Sequence, residues 1–187
     1  MKICIDPGHG MSNRTRNVYD PGATHVESGV THTEAAIVLK YALTLKDMFR
    51  ARQHSVFMSR DDAQDHAPVG QRAANAKAAN CTVLVSLHLN DFDDDAANGL
   101  EVLFRDDADK VLAQKLQTAL VAITGFKNRG VKERDDLAVL RFAGVAVLIE
   151  LGFIANDPDR TTLLNPQKRA AICDAIADTV EAHFAGA

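Results

Sequence analysis

The sequence predicts a single α/β domain with a mostly parallel, twisted sheet and helices on both of its faces. Short apolar runs such as TVLVSL and VAVLI lack an alternating polar face, which is typical of strands buried in a parallel sheet. Segments with apolar residues at helical spacing alternate with these runs along the chain. Because 47% of the 187 residues are hydrophobic, we expect residues 1–187 to form one domain with one core.

The elements can be assigned in chain order. The apolar run at 2–5 predicts a strand that stops at the turn DPGHG, and residues 11–33 predict a long irregular loop. Apolar residues at helical spacing predict a helix over 34–52, with Thr31 or Thr33 as its cap. Further strands are predicted at 54–59, 81–89, 99–104 and 144–151, and further helices at 69–80, 107–124 and 166–184.

Composition and charge exclude several classes of function. A net charge of -4 without a Lys/Arg block argues against a nucleic-acid partner. Cys4, Cys81 and Cys173 are widely spaced and odd in number, so we expect reduced thiols and no thiolate metal site. No apolar stretch reaches the roughly 18 residues of a membrane span, and the start shows no signal peptide, so we expect synthesis in the cytoplasm.

Candidate chemical groups follow the ends of the predicted strands. His9 follows the first strand, His88 lies near the end of the strand at 81–89, and Glu150 lies at the end of the strand at 144–151. Glu34 begins the first helix. Because loops at the carboxyl ends of parallel strands converge on one edge, we expect these side chains to meet there.

Two imidazoles and one carboxylate form a ligand set that suits zinc with one position left open for water. A further carboxylate that is not a ligand would serve as the general base. Such a site predicts hydrolysis of an amide or an ester.

Structural roles compete with these assignments. Glu34 also suits the positive end of a helix, and Glu27 in the long loop is an alternative carboxylate ligand. His25 and His32 are either substrate contacts or solvated loop residues. The acidic run at 91–98 lacks the glycine and distal Glu of a calcium loop, which indicates a solvated loop beside the site. Burial of Glu150 would be costly unless it is paired or binds a metal.

Several collinear motifs resemble one enzyme family. They are IDPGHG, Glu34 at the head of a helix, QRAAN before VSLHLN, NRGVK at 128–132, LAVLR at 137–141 and IELGFIAN at 149–156. Together they resemble the zinc-dependent N-acetylmuramoyl-L-alanine amidases of the amidase-3 type over nearly the whole chain.

The resemblance implies one zinc ion per chain, bound by His9, Glu34 and His88, with Glu150 as the catalytic carboxylate. The spacing from Glu34 to Arg60 fits the family and favours Glu34 over Glu27 as a ligand. The family cleaves the amide between the lactyl group of N-acetylmuramic acid and the L-alanine of the peptidoglycan stem peptide.

Other positions also match the family, but the match does not assign them one role. Arg72, Asn75 and Asn128 are candidate substrate-binding residues, and the alternative role of Arg72 is to support the strand that carries His88. Val38 stands where the family commonly has an asparagine, which puts a hydrogen bond from that position in doubt.

Some members of the family that this sequence resembles carry an inserted helix that plugs the active site, and the interval of about 60 residues between His88 and Glu150 leaves no room for such a helix. We therefore expect an open monomeric enzyme without a regulatory partner. It would act in the periplasm or cell wall, as an autolysin or as a phage-type endolysin after lysis. The alternatives are a zinc peptidase or deacetylase acting on another amide, and a non-catalytic wall-binding domain.

Overall fold

The structure is a computed structural model that describes residues 1–92 and 96–186. Its helices are α1 (Glu34–Ala51), α2 (Arg72–Ala78), α3 (Asp107–Thr124), α4 (Asp157–Leu164) and α5 (Pro166–Ala185). Its strands are β1 (Lys2–Pro7), β2 (Gly10–Met11), β3 (Tyr19–Asp20), β4 (Thr24–Glu27), β5 (Val30–Thr33), β6 (Ser55–Met58), β7 (Val83–Asn90), β8 (Leu100–Phe104), β9 (Asn128–Glu133) and β10 (Val145–Phe153).

The central sheet has the strand order β6-β1-β7-β10-β8-β9. The pairs β1 with β6, β1 with β7, β7 with β10 and β8 with β9 are parallel, and β8 runs antiparallel to β10. The predicted α/β class with a mostly parallel sheet is therefore confirmed. In the described part of the chain, no helix has the length and apolar character needed to cross a membrane.

The two faces of the sheet are covered unequally. Helices α1, α3 and α5 pack on one face and form the larger core with residues such as Ile5, Val85 and Val147. The other face carries a smaller core beneath the short helix α2 and a 3-10 turn at Ala138–Arg141. This smaller core covers the amino-terminal halves of the strands. Towards the carboxyl ends of β1, β7 and β10, the same face presents Asp6, Ser86, His88 and Glu150, together with Glu101 from the start of the antiparallel strand β8.

Helix α1 begins as its sequence predicts. The Thr33 hydroxyl accepts a hydrogen bond from the backbone N–H of Ala36, which caps the first turn. Apolar residues at helical spacing are fully buried against the sheet, among them Val38, Tyr41 and Leu45. The cap and the buried face together fix Glu34 at the start of the helix, beside the carboxyl ends of β1 and β7.

The segment 11–33 differs from the predicted irregular loop because it contains two small hairpins, β2 with β3 and β4 with β5. Ser28 and Gly29 form the two-residue turn of the second hairpin, with φ angles of 50° and 77°. Two positive φ angles are the signature of a hairpin turn whose twist matches its strands.

Two further elements, strand β9 and helix α4, were not predicted from the sequence. Strand β9 is rich in polar residues and lies at the edge of the sheet, so it lacks the apolar pattern of a buried strand. Helix α4 has only 8 residues, and Asn156 caps it by accepting a hydrogen bond from Asp159. The predicted acidic loop at 91–98 lies in part outside the described residues, which exclude 93–95.

Candidate functional site

The turn after β1 aims His9 across the end of the sheet. His9 has a positive φ of 59° and is followed by Gly10 with a φ of 95°. A Cβ atom on Gly8 would lie 2.3 Å from Cε1 of His88, so only glycine allows the turn to approach that ring. The rings of His9 and His88 lie 5.0 Å apart, edge to face.

Two buried arginines hold this turn by its carbonyl oxygens. Arg60 donates hydrogen bonds to the carbonyls of Pro7 and Gly8, at 3.1 and 2.7 Å. Arg72 donates to the carbonyls of Pro7 and His9, at 2.9 and 2.7 Å. The two guanidinium groups are only 1% and 2% exposed, so they occupy the interior beneath the turn. They fix the backbone from which His9 projects.

The carboxylate of Glu34 lies between the two imidazoles. Its Oε2 is 3.0 Å from Nε2 of His9, and its Oε1 is 2.8 Å from Nδ1 of His88. The backbone N–H groups of Ala23 and Leu89 also donate to these two oxygens. Burial alone would raise the pKa of Glu34, but hydrogen bonds from both histidines hold the pKa well below its usual range.

Asp20 orients His9 from the opposite side of the ring. Nδ1 of His9 lies 3.1 Å from Oδ2 of Asp20, which also accepts a hydrogen bond from the Asn13 amide. Gly22 N–H donates to the other oxygen of Asp20. Burial raises the pKa of Asp20, but these donors outweigh it and the pKa is lowered. An ionised Asp20 favours the His9 tautomer that carries its proton on Nδ1, in which Nε2 would offer its lone pair to a metal ion in place of the hydrogen bond to Glu34.

The donor set of His9, Glu34 and His88 fits a single metal ion. One donor atom from each side chain lies within 4.8 Å of the others. Two imidazole nitrogens and one carboxylate oxygen are the donor types that zinc takes in hydrolytic sites, where a fourth position stays open. Burial lowers the pKa of His88, whereas the hydrogen bond and charge of Glu34 raise it, with a net rise. The His9–Asp20 pair adds the outer hydrogen bond that metal-binding histidines commonly make.

Glu150 lies next to this cluster without belonging to it. It pairs in register with His88 on the neighbouring parallel strand, so both side chains point to the same open face of the sheet. Burial, as the main cause, raises the pKa of Glu150 to about 7. Among the residues that the structure describes, none gives its buried Oε2 atom a hydrogen bond. A carboxylate with this pKa can both take and return a proton near neutral pH.

Of the three candidate substrate-binding residues, Arg72 lies against the candidate metal ligands. Arg72 lies beneath the His9 turn and bonds Asp6 of β1, which places its support at β1 more than at the strand of His88. Asn75 is exposed on α2. Asn128 accepts hydrogen bonds from the Gln117 amide and the Gly130 N–H at the start of β9.

The alternative loop residues lie outside the cluster that could hold a metal. Glu27 is paired with Arg160 at 2.9 Å and with His32 at 3.7 Å. His25 lies half-buried on β4, opposite His32 on β5. Val38 is fully buried in the larger core, so an apolar contact replaces a polar one at that position of α1.

A cavity of about 310 Å³ opens beside the two histidines. Its wall is formed by His9 and His88 on one side and by apolar residues of the 3-10 turn on the other. Asp6, Asn13, Arg14, Val69, Arg72 and Leu148 also line the cavity. The cavity provides space for a substrate group directly against the candidate metal ligands.

Sequence reasoning missed Asp20 and Glu101 as members of the site. Asp20 did carry a signal, because the tripeptide Asp-Pro-Gly occurs at 6–8 and again at 20–22. Each copy places a glycine against the site, and a Cβ atom on Gly22 would lie 2.5 Å from Oε2 of Glu34. Glu101 gave no local signal, because only strand pairing places it opposite Glu150.

Comparison with solved structures supports the fold. The catalytic domain of CwlV, an N-acetylmuramoyl-L-alanine amidase from Bacillus (Paenibacillus) polymyxa var. colistinus, is similar with a TM-score of 0.86 and 25% identity. The alignment covers 98% of this chain and 97% of that one. An N-acetylmuramoyl-L-alanine amidase from Clostridium difficile 630 is similar with a TM-score of 0.86 and 28% identity, covering 98% and 96%.

Comparison with curated proteins gives the same family. The "Probable cell wall amidase LytH" of Staphylococcus epidermidis is 28% identical over 97% of this chain, which spans 58% of that protein's length. Residues 3–182 match the family Amidase_3, described as N-acetylmuramoyl-L-alanine amidase. The resemblance inferred from the motifs is thereby confirmed. Because the match runs through nearly all of the sequence, the chain belongs to the Amidase_3 family.

Proposed function

We propose that this chain hydrolyses the amide bond between the lactyl group of N-acetylmuramic acid and the L-alanine of the peptidoglycan stem peptide. The observation that carries the proposal is the meeting of His9, Glu34 and His88 within 4.8 Å, in a member of an amidase family. In this proposal residues 1–187 are the catalytic domain and act on the cell wall.

His9 through Nε2, His88 through Nδ1 and Glu34 through its carboxylate would hold one zinc ion. When bound, zinc acts as a Lewis acid that polarises a carbonyl and lowers the pKa of water to about 7. Asp20 keeps His9 in the tautomer that presents Nε2 to the ion.

Glu150 moves the protons of the reaction. Its pKa of about 7 leaves a large fraction ionised at neutral pH, so the carboxylate can accept a proton from the attacking water. The same carboxyl group then returns the proton to the nitrogen of the departing alanine. Its place on the open face beside His88 allows it to serve both groups without moving far.

Product analysis of purified peptidoglycan tests the proposal. We expect the zinc-loaded wild-type protein to release new L-alanine amino termini together with new lactyl carboxylates. Amino termini from other peptide bonds would instead identify a peptidase, and release of acetate would identify a deacetylase. Zinc binding without any product would identify a binding domain. Each of these three results would overturn the proposal.

Two variants separate metal binding from proton transfer. Glu150→Gln should retain one zinc ion per chain but lower kcat by about 100-fold or more, because general acid–base catalysis contributes on that order. His88→Ala should lose both zinc and activity, because it removes a ligand. Metal content measured beside product formation checks both, and near wild-type turnover by Glu150→Gln would remove Glu150 as the base.

A further inference from the structure

A charged cluster lies beside Glu150 on the same open face of the sheet. Glu101 on β8 pairs in register with Glu150 on β10. Two cations of β9 bind the Oε2 atom of Glu101, namely Arg129 through Nε at 2.9 Å and Lys132 through Nζ at 2.6 Å. The cluster therefore extends the candidate active site across two further strands.

An irregularity in β9 aims both cations at this face. The register runs from Leu100 opposite Asn128 to Val102 opposite Val131, so β9 has one extra residue between these two pairs. Gly130 in this bulge has a φ of 80°. Residues three positions apart on a regular strand point to opposite faces, whereas the bulge brings Arg129 and Lys132 to the same carboxylate. Bulges commonly redirect side chains next to active sites.

The cluster carries more positive than negative charge. Glu101 is buried with two cations, and although burial raises its pKa, the contacts with Lys132 and Arg129 lower it overall, which keeps it ionised. The Lys132 side chain is 46% exposed, and within residues 1–92 and 96–186 Glu101 is its one ion-pair partner. The Arg129 guanidinium lies 4.8 Å from the centre of the Phe153 ring, which holds its plane. Arg129 also donates a hydrogen bond from Nη1 to the carbonyl of Asn98, and both cations have further N–H donors that Glu101 does not take up.

We propose that Arg129 and Lys132 bind a free carboxylate of the stem peptide, about three residues beyond the cleaved amide. Glu101 is a positioning residue that holds the two cations on this face. Two strand spacings separate β8 from the strand of His88, roughly 10 Å. An extended peptide covers that distance in about three residues. The natural group at this position is the second carboxylate of a dicarboxylic diamino acid in the third place of the stem peptide. This inference rests on the proposed function.

The test compares two soluble muropeptides that differ only in the third residue of the peptide, with its side-chain carboxylate free or amidated. We expect the wild-type protein to prefer the free carboxylate by about tenfold through KM, because hydrogen bonds between charged groups contribute on that order. Lys132→Gln should abolish the preference by raising KM for the peptide with the free carboxylate, and Lys132→Arg should retain it. Lys115→Gln removes one charge on the helical face of the sheet and should leave the preference intact.

Calorimetric binding of the released tripeptides to the wild-type protein and to Lys132→Gln gives a readout that needs no turnover. We expect the free tripeptide to bind about tenfold more tightly than its amide, and only to proteins that retain a cation at 132. A preference that survives in Lys132→Gln, or an equal loss for both peptides, overturns the inference. Hydrolysis without any preference leaves the proposed function intact and removes this subsite. A binding preference without hydrolysis supports this subsite and removes the proposed function.

Discussion

At the scale of single residues, Asp20 sets the orientation and the tautomer of the His9 ring towards a metal ion. Its carboxylate holds Nδ1 of His9 at 3.1 Å and is itself fixed by Asn13 and Gly22. Asp20→Asn should weaken zinc binding by about 10- to 100-fold, because outer partners of metal-binding histidines contribute on that order. Competition with a chelating dye measures the affinity. Asp47→Asn, an exposed change on α1, is the matched control, and equal affinity in the two variants would contradict the prediction.

Asp6 makes stability depend on pH in a defined direction. Burial raises its pKa, but the charge of Arg72 and the hydroxyls of Ser59 and Ser86 lower it below the ordinary value of 3.8. Because this pKa is lower in the folded than in the unfolded chain, the ionised carboxylate stabilises the fold in full at pH values above the pKa of the unfolded chain. This contribution is lost as the pH falls through the pKa of the folded chain.

Asp6→Asn should therefore lower the free energy of unfolding by about 3 kcal/mol at pH 7, because it leaves Arg72 buried without its charged partner. The difference from wild type should shrink as the pH falls below 3.8. Urea unfolding at a series of pH values gives the measurement. A difference that stays constant down to pH 3 would show that the charge of Asp6 does not act in this way.

At the scale of elements, the turn after β1 depends on the absence of a side chain at Gly8. Gly8→Ala would place a Cβ atom 2.3 Å from the His88 ring, so either the ring or the turn must shift and disturb the ligand cluster. We expect zinc affinity to fall at least about tenfold and stability to fall by about 1–3 kcal/mol, as overpacked sites do.

Gly70→Ala is the matched control for that change. No atom lies within 4 Å of a Cβ atom built on Gly70, so this variant should fold with unchanged or slightly higher stability. Thermal unfolding and zinc titration of both variants provide the comparison. Normal zinc binding by Gly8→Ala would show that His88 tolerates a shift of the turn.

The elements also show which features sequence patterns can predict. The positions of His9, His88 and Glu150 at one edge of the sheet could be predicted from the sequence, because apolar runs mark the strands and the carboxyl ends of parallel strands share one edge. The position of Glu101 beside Glu150 could not be predicted, because it depends on an antiparallel register that no local pattern encodes. Arg72 was recognised only as a motif residue, since its contacts with the His9 turn cross 63 residues of sequence. The bulge at Gly130 likewise depends on pairing.

At the scale of the whole molecule, the unequal faces of the sheet create the site. Three long helices bury one face completely, whereas α2 and the 3-10 turn leave the carboxyl half of the other face to polar residues. The sequence predicted helices on both faces, which is confirmed, but not this difference in coverage. In the proposed function, an open half-face would let a polymeric substrate approach the site from the side, which a site closed on all sides would prevent.

The same architecture couples metal binding to the stability of the fold. The candidate ligands come from the turn after β1, the start of α1 and the end of β7, so one ion would connect segments far apart in the chain. Zinc at 100 times its dissociation constant should add about 2.7 kcal/mol to the free energy of unfolding. For a domain of this size, that corresponds to a rise in Tm of about 5–10 °C.

Calorimetric scans with zinc, with magnesium and with a chelator test this coupling. Zinc should raise Tm, magnesium should leave it unchanged because it prefers an all-oxygen octahedral shell, and the chelator should reverse the effect of zinc. Glu34→Gln should lose the rise because the charged ligand is gone, whereas Glu150→Gln should keep it because Glu150 lies outside the ligand cluster. An equal rise in both variants would mean that zinc stabilises the fold from another place, and the ligand assignment would have to be withdrawn.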